Sequence, residues 1–167
     1  MKVMIYILSG IIFVLLIIVV VGLFLPKTQT LTKETIYNVP IEIVYNTVTN
    51  NQDWKYRKSL DGLKIIETND NIEIWEEISA GNVIVFKTKE KRPFTFYSFE
   101  MESKFFRGSW FAEFESVKNG KTSFKATESI EYKNIFIRVI GYIFMDLDKY
   151  METYQNELRE KIENLNS

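Results

Sequence analysis

The sequence predicts an α+β fold in which a curved antiparallel sheet wraps one long carboxy-terminal helix, with a single membrane-spanning helix ahead of it. Three observations carry that expectation. Val3 to Leu25 holds no charged residue. From Leu63 to Tyr132, strand-like segments alternate apolar with polar residues and are separated by turn-forming pairs such as Gly81-Asn82, Arg92-Pro93 and Asn119-Gly120. From Asn134 to about Asn164 runs a helical pattern without proline. It is apolar nearly all round as far as Met145, then striped at Leu147, Tyr150, Met151, Tyr154, Leu158 and Ile162.

A helix over residues 3–25 would be about 34 Å long, enough for a hydrocarbon core of about 30 Å. The run outlasts the h-region of a cleavable signal, and no Ala-x-Ala site follows it, so an uncleaved anchor over residues 1–25 is expected. Lys2 flanks one end and Lys27 and Lys33 the other, a near balance. A short positive amino-terminal tail favours the cytoplasm and so an extracytoplasmic domain. Pro26 ends the helix. Residues 26–30 form a tether whose reach is under about 18 Å, which holds the following domain, residues 31–167, near the bilayer.

Thr30 to Val39, rich in Thr, Ile and Tyr, is the first expected strand. Pro40 suits the first turn of a helix over Ile41 to Thr49, and a second short helical turn is expected over Gln52 to Arg57. Six strands follow, near residues 63–67, 72–79, 83–89, 94–102, 109–117 and 122–132. In the second of these the row Ile72, Ile74, Glu76 and Ile78 is the more apolar and is expected to face inward, with Glu73, Trp75 and Glu77 outward. One greasy face and one wet face mark an antiparallel sheet, and the terminal helix is the large element available to cover the greasy one.

Composition narrows the chemistry. With 21 basic and 22 acidic residues the net charge is −1, so no field recruits nucleic acid. The chain has no Cys and no His, which removes thiolate nucleophiles, disulfides, histidine-based triads and the usual zinc sites. No metal and no cofactor is expected. Aromatic residues make up 15% of the chain, enough to fill a core or to line a cavity as well.

The order anchor, strand, two short helices, six strands and long helix resembles the START-related helix-grip superfamily, the polyketide cyclase/dehydrase and lipid-transport group. The segments that carry the resemblance are residues 39–45 (VPIEIVY), residues 51–54 (NQDW), Gly108-Ser109-Trp110 and residues 127–130 (TESI). It spans about Thr28 to the carboxy terminus, and the anchor resembles that of membrane-bound bacterial members. The resemblance implies a hydrophobic cavity between sheet and terminal helix. It implies no particular ligand, and no branch-specific catalytic residue is matched.

Candidate cavity residues follow from the pattern. Glu76 and Glu128 each fall in an otherwise apolar row; facing a cavity they would be acids of raised pKa or ligand anchors, and swung to solvent at a strand end or bulge, or paired with an Arg or Lys across the sheet, they would be neither. Arg138 interrupts the apolar half of the terminal helix and would hold an anionic group, snorkel to water, or pair with a carboxylate. Trp54, with Tyr56 and Arg57, would form a pocket lip or a packed corner. Tyr97, Phe99, Trp110, Phe114, Tyr142 and Met145 are expected to line the cavity or to fill the core. Phe105 and Phe106, flanked by Lys104 and Arg107, suit a hairpin tip touching the membrane, or the core.

The expected function is a membrane-anchored module that binds a hydrophobic small molecule or lipid without catalysis. The rivals are a cyclase- or dehydratase-like enzyme using cavity carboxylates, and a membrane-surface interaction scaffold.

Overall fold

The computed structural model describes residues 2–165; Met1, the first residue of the expected anchor, and Asn166 and Ser167, the last of the expected domain, lie outside the described residues. Helix α1 (Lys2–Phe24) is long and apolar enough to cross a membrane, and it is exposed along nearly its whole length. Strand β1 (Thr28–Tyr37) leads through Asn38–Pro40 to α2 (Ile41–Thr49) and a 3₁₀ segment over Asn51–Tyr56. Then come β2 (Gly62–Asn69), β3 (Ile72–Ser79), β4 (Asn82–Arg92), β5 (Phe96–Glu102), β6 (Phe106–Val117) and β7 (Lys121–Tyr132). Helices α3 (Ile135–Phe144) and α4 (Leu147–Leu165) close the chain.

The seven strands form one antiparallel sheet in the order β1-β7-β6-β5-β4-β3-β2. All but one of the neighbouring pairs are consecutive hairpins. The exception is β1, which joins the far side of β7, so α2 and the 3₁₀ segment carry the chain from one edge of the sheet to the other. Register slips at Ile65/Glu67 and Thr88/Glu90 add local twist to the sheet. Across its concave face lie Tyr37, Trp75, Phe86, Trp110, Phe124 and Ile130, all buried. Helix α2 presses Val44 and Val48 onto β6 and β7, beside the small cross-strand pair Ala112 and Ala126.

Helix α4 lies along β1. Its stripe enters the core at Leu147, Met151, Leu158 and Ile162, with Tyr154 half-buried. Polar ties fix the docking: Thr35 Oγ1 donates to Gln155 Oε1 (2.6 Å), and the Tyr37 hydroxyl donates to the Gln155 carbonyl (3.1 Å).

The single terminal helix expected from the pattern is two helices. The chain breaks at Met145, whose backbone is extended, and Asp146 Oδ1 then accepts from the Lys149 amide (3.0 Å) as the cap of α4. The reason is a change of partner. α4 packs on the sheet, whereas α3 packs against the last two turns of α1. Two glycines make the close approaches. A Cβ on Gly22 would stand 2.7 Å from Ile135 Cγ2, and one on Gly141 would stand 2.2–2.7 Å from the Tyr132 ring and hydroxyl.

The inward row of β3 also differs from the expectation. Glu73, Trp75 and Glu77 are buried, while Ile72 and Ile78 are exposed on the convex face. One large aromatic outweighs three isoleucines: Trp75 stands opposite Phe86 of β4 and stacks on it at 5.1 Å, which sets the face of the whole strand.

Candidate functional site

Between the sheet and α4 lies a small chamber of about 60 Å³, walled on the sheet side by Trp75, Phe99, Trp110 and Glu128 and on the helix side by Met151 and Tyr154. It is small because aromatic rings fill the concave face. Phe99 stacks on Trp110 at 4.8 Å, and its edge meets Trp75 and Phe86, each at 5.4 Å. About 60 Å³ holds a few waters or one small polar group, whereas ligand sites run to about 300–1,000 Å³.

That larger space lies next door. A mainly apolar groove of about 660 Å³ runs beneath α3, between Ile137, Ile140 and Met145 on one side and the β3–β4 and β5–β6 hairpins on the other. Glu77, Met101, Glu128 and Tyr150 line both chamber and groove, so the two spaces meet at the carboxylates.

The junction holds one guanidinium and two carboxyl groups. Arg57, placed by the 3₁₀ segment, donates through both terminal nitrogens to Glu77, with Nη2 to Oε2 at 3.0 Å, and lies 5.2 Å over the Tyr154 ring. Burial works against the Arg57 charge, but Glu77 more than restores it and holds the guanidinium above its ordinary pKa. Trp75 Nε1 also donates to Glu77 (3.1 Å), so that carboxylate is fully engaged.

Glu128 is left over. It sits on β7 between cross-strand neighbours Leu31 and Trp110, is 4% exposed, and its carboxyl makes no hydrogen bond to any described residue. Burial pushes its carboxyl up to about 7; Arg57 pulls it back, and the Glu77 charge adds to the rise. Two further polar atoms in the chamber wall, Arg57 Nε and the Tyr97 hydroxyl, are buried without hydrogen-bond partners among the described residues. Thr88 and Asn51 stand near the Tyr97 hydroxyl but outside hydrogen-bond geometry, and burial raises it to about 12. Such orphaned atoms are uncommon in a folded interior and mark places where a small polar group fits.

Comparison with solved structures finds the same architecture over most of the chain. The ZhuI aromatase/cyclase from a Streptomyces species superposes with a TM-score of 0.69 at 8% identity, covering 81% of this chain and 94% of that one. A START superfamily protein from Mycobacterium smegmatis gives 0.63 at 12% identity, covering 81% and 98%. The chain has the helix-grip fold. A norcoclaurine synthase from Thalictrum flavum shares it as well, with a TM-score of 0.66 at 9% identity over 84% of this chain and 97% of that one. Neither a family model nor a curated protein sequence matches the chain.

Within the helix-grip core, Trp54, Tyr97, Phe99, Trp110 and Glu128 come together around the chamber, and Met145 lines the outer groove. Four other candidates lie elsewhere. Glu76 projects from the convex face between Lys64 and Val85, because Trp75 takes the inward row. Phe114 is buried beyond the chamber, edge-on to Tyr45 (5.2 Å) and Phe124 (5.3 Å). Tyr142 packs on Tyr132 at 5.9 Å, outside both spaces. Arg138 turns away from the cavity altogether. Its Nη1 donates to the carbonyls of Gly22 (2.9 Å) and Leu25 (3.2 Å), so it caps the carboxy-terminal end of α1.

Glu77 is the residue that sequence reasoning missed, and Trp75 was the signal for it: a lone tryptophan two residues away belongs to the same face. At the β5–β6 tip, Phe105 is 38% exposed with Lys104 Nζ 4.6 Å over its ring, while Phe106 packs on the core.

Proposed function

We propose that this chain is a membrane-anchored module that binds a hydrophobic molecule, holding its apolar body in the groove beneath α3 and its polar end at the junction of Arg57, Glu77 and Glu128. The observation that carries the proposal is the pairing of an apolar groove of about 660 Å³ with a polar chamber, lined by the Glu128 carboxyl, in which Arg57 Nε and the Tyr97 hydroxyl have no hydrogen-bond partner among the described residues. Together they favour a small head that both donates and accepts hydrogen bonds, such as a hydroxyl, over a large or doubly charged one. The packing of α1 on α3 supports an anchor that stays with the domain. A leader destined for removal has no reason to bury Gly22 or to engage Arg138.

Native mass spectrometry of the full chain, released from detergent micelles, tests the binding. The expected result is an apolar compound retained at one per chain and lost in Ile84→Trp, which fills the groove beside Glu77. Equal, non-stoichiometric lipid in both proteins overturns it.

A second reading, an enzyme working through Glu128, is favoured by the burial of that acid where chamber and groove meet, which pushes its carboxyl up to about 7. The helix-grip neighbours include proteins named as an aromatase/cyclase and as norcoclaurine synthase. Glu128→Gln separates the two. Under binding alone, the same compound is retained by both proteins. Under catalysis, the variant retains an unreacted precursor of the compound found on the wild type.

A further inference from the structure

The second half of the site has an unusual outer surface. Helix α3 exposes Phe136 (48%), Ile140 (56%), Ile143 (66%) and Phe144 (80%), which recur at four, three and one residues and form a single stripe. Four large apolar side chains on one ten-residue helix are more than a surface in water ordinarily leaves uncovered.

What covers them follows from α1. Gly22 touches Ile135 and Val139, and Arg138 binds the carbonyls of Gly22 and Leu25, so the first half of α3 is locked to the last turn of the span. That turn lies where a helix of about 34 Å leaves a hydrocarbon core of about 30 Å. α3 is itself only about 15 Å long, so every residue of its stripe stays within about 15 Å of that level. Arg138, at the end of α1, falls at headgroup depth, where a guanidinium on an apolar helix is tolerated. The other lip of the groove, the β5–β6 tip, carries exposed Phe105 beneath the Lys104 ammonium, a pairing suited to the same depth.

We infer that α3 lies in the headgroup–acyl boundary with its Phe136/Ile140/Ile143/Phe144 stripe in lipid, and that the groove between α3 and the Phe105 tip therefore opens into the bilayer, not into water. This rests on α1 being a retained anchor. Its ligands are then membrane-resident amphiphiles that slide in from the leaflet, polar end first toward Glu128, without crossing the aqueous phase.

The chain has no Cys, so single cysteines report cleanly. Full-length Ile12→Cys, Phe105→Cys, Asn119→Cys, Ile140→Cys and Phe144→Cys, each carrying an environment-sensitive fluorophore, are placed in phosphatidylethanolamine/phosphatidylglycerol vesicles. Quenching is measured with doxyl lipids and with aqueous iodide. Near-ultraviolet circular dichroism confirms that each variant is folded.

The expected outcome is lipid quenching at Ile12, Phe105, Ile140 and Phe144, the last three about 5–10 Å deep, and iodide quenching at Asn119. Lipid quenching at Ile12 with iodide quenching at Ile140 and Phe144 overturns the inference and leaves the anchor standing. Lipid quenching at α3 but iodide at Phe105 overturns the bilayer-facing mouth. Shielding of Ile140 and Phe144 from both quenchers assigns the stripe to a protein partner, such as a second copy, and also overturns it. Iodide quenching at Ile12 overturns the anchor itself.

Discussion

Glu128→Gln gives the sharpest test of the site, because the effect has a definite sign and pH window. Glu128 has its folded-state pKa at about 7 against an ordinary value of 4.5, chiefly through burial. A raised folded-state pKa means that the folded chain binds the proton more tightly than the unfolded one. The contribution to stability is therefore fully present below about pH 4.5, and it is lost as pH rises through about 7. A gap of about 2.5 units is worth about 3 kcal/mol, at 1.36 kcal/mol per unit. Gln keeps the shape and carries no charge, so the variant lacks this slope. Above pH 7 it should be the more stable protein by up to about 3 kcal/mol, or roughly 10 °C in Tm for a chain of this size. The assay is thermal unfolding of the full chain in detergent micelles between pH 4.5 and 8, read as the difference between the two proteins. Difference infrared spectroscopy supplies a second readout, since the wild type should show a protonated-carboxyl stretch at pH 5 that the variant lacks. Parallel pH profiles for the two proteins, or loss of that band already near pH 4.5, would refute the reasoning.

Other outcomes follow from the same contacts. Arg57→Met leaves Glu77 charged and buried with no counter-charge beyond the Trp75 Nε1 donor, and should cost about 3–5 kcal/mol in denaturant unfolding; Arg57→Met with Glu77→Met should recover most of that. Gly141→Ala drives a methyl into the rigid, buried Tyr132 ring, so α3 must shift. A loss of about 1–3 kcal/mol is expected, together with faster hydrogen exchange confined to α3. Arg138→Leu keeps the apolar bulk but leaves the Gly22 and Leu25 carbonyls open. Hydrogen exchange should then rise over residues 22–30 with the sheet unchanged, at a cost of about 1–3 kcal/mol. An unaltered exchange pattern there would mean that the α1–α3 joint is held by Gly22 packing alone.

Periodicity and turn chemistry made most of the architecture legible. The sheet's strands, α2 and the striped part of α4 are local signals, written in alternation, in Pro40 and in pairs such as Asn119-Gly120, and they need no knowledge of distant contacts. The resemblance to the helix-grip superfamily followed from their order. The face of β3 was less legible, because counting isoleucines misjudges a strand whose direction is set by one Trp75–Phe86 stack across the sheet. The break at Met145 was present in the sequence only as Asp146, a cap whose meaning depends on α3 having somewhere else to pack.

Inventory alone therefore determined which side-chain sites are ruled out: without Cys or His the chain has no thiolate nucleophile, no disulfide, no histidine-based triad and no cysteine- or histidine-ligated zinc site. Local pattern determined the element order and an apolar helix long enough to span a bilayer. Tertiary structure decided the rest. It brought Arg57, Glu77 and Glu128 to one chamber, left the Glu128 carboxyl without a hydrogen bond among the described residues, filled the expected cavity with rings, and moved the usable volume outward beneath α3. Those outcomes depend on which side chains meet across the sheet and between helices more than 100 residues apart. Burial and pairing of charge are properties of such meetings, and no residue carries them by itself.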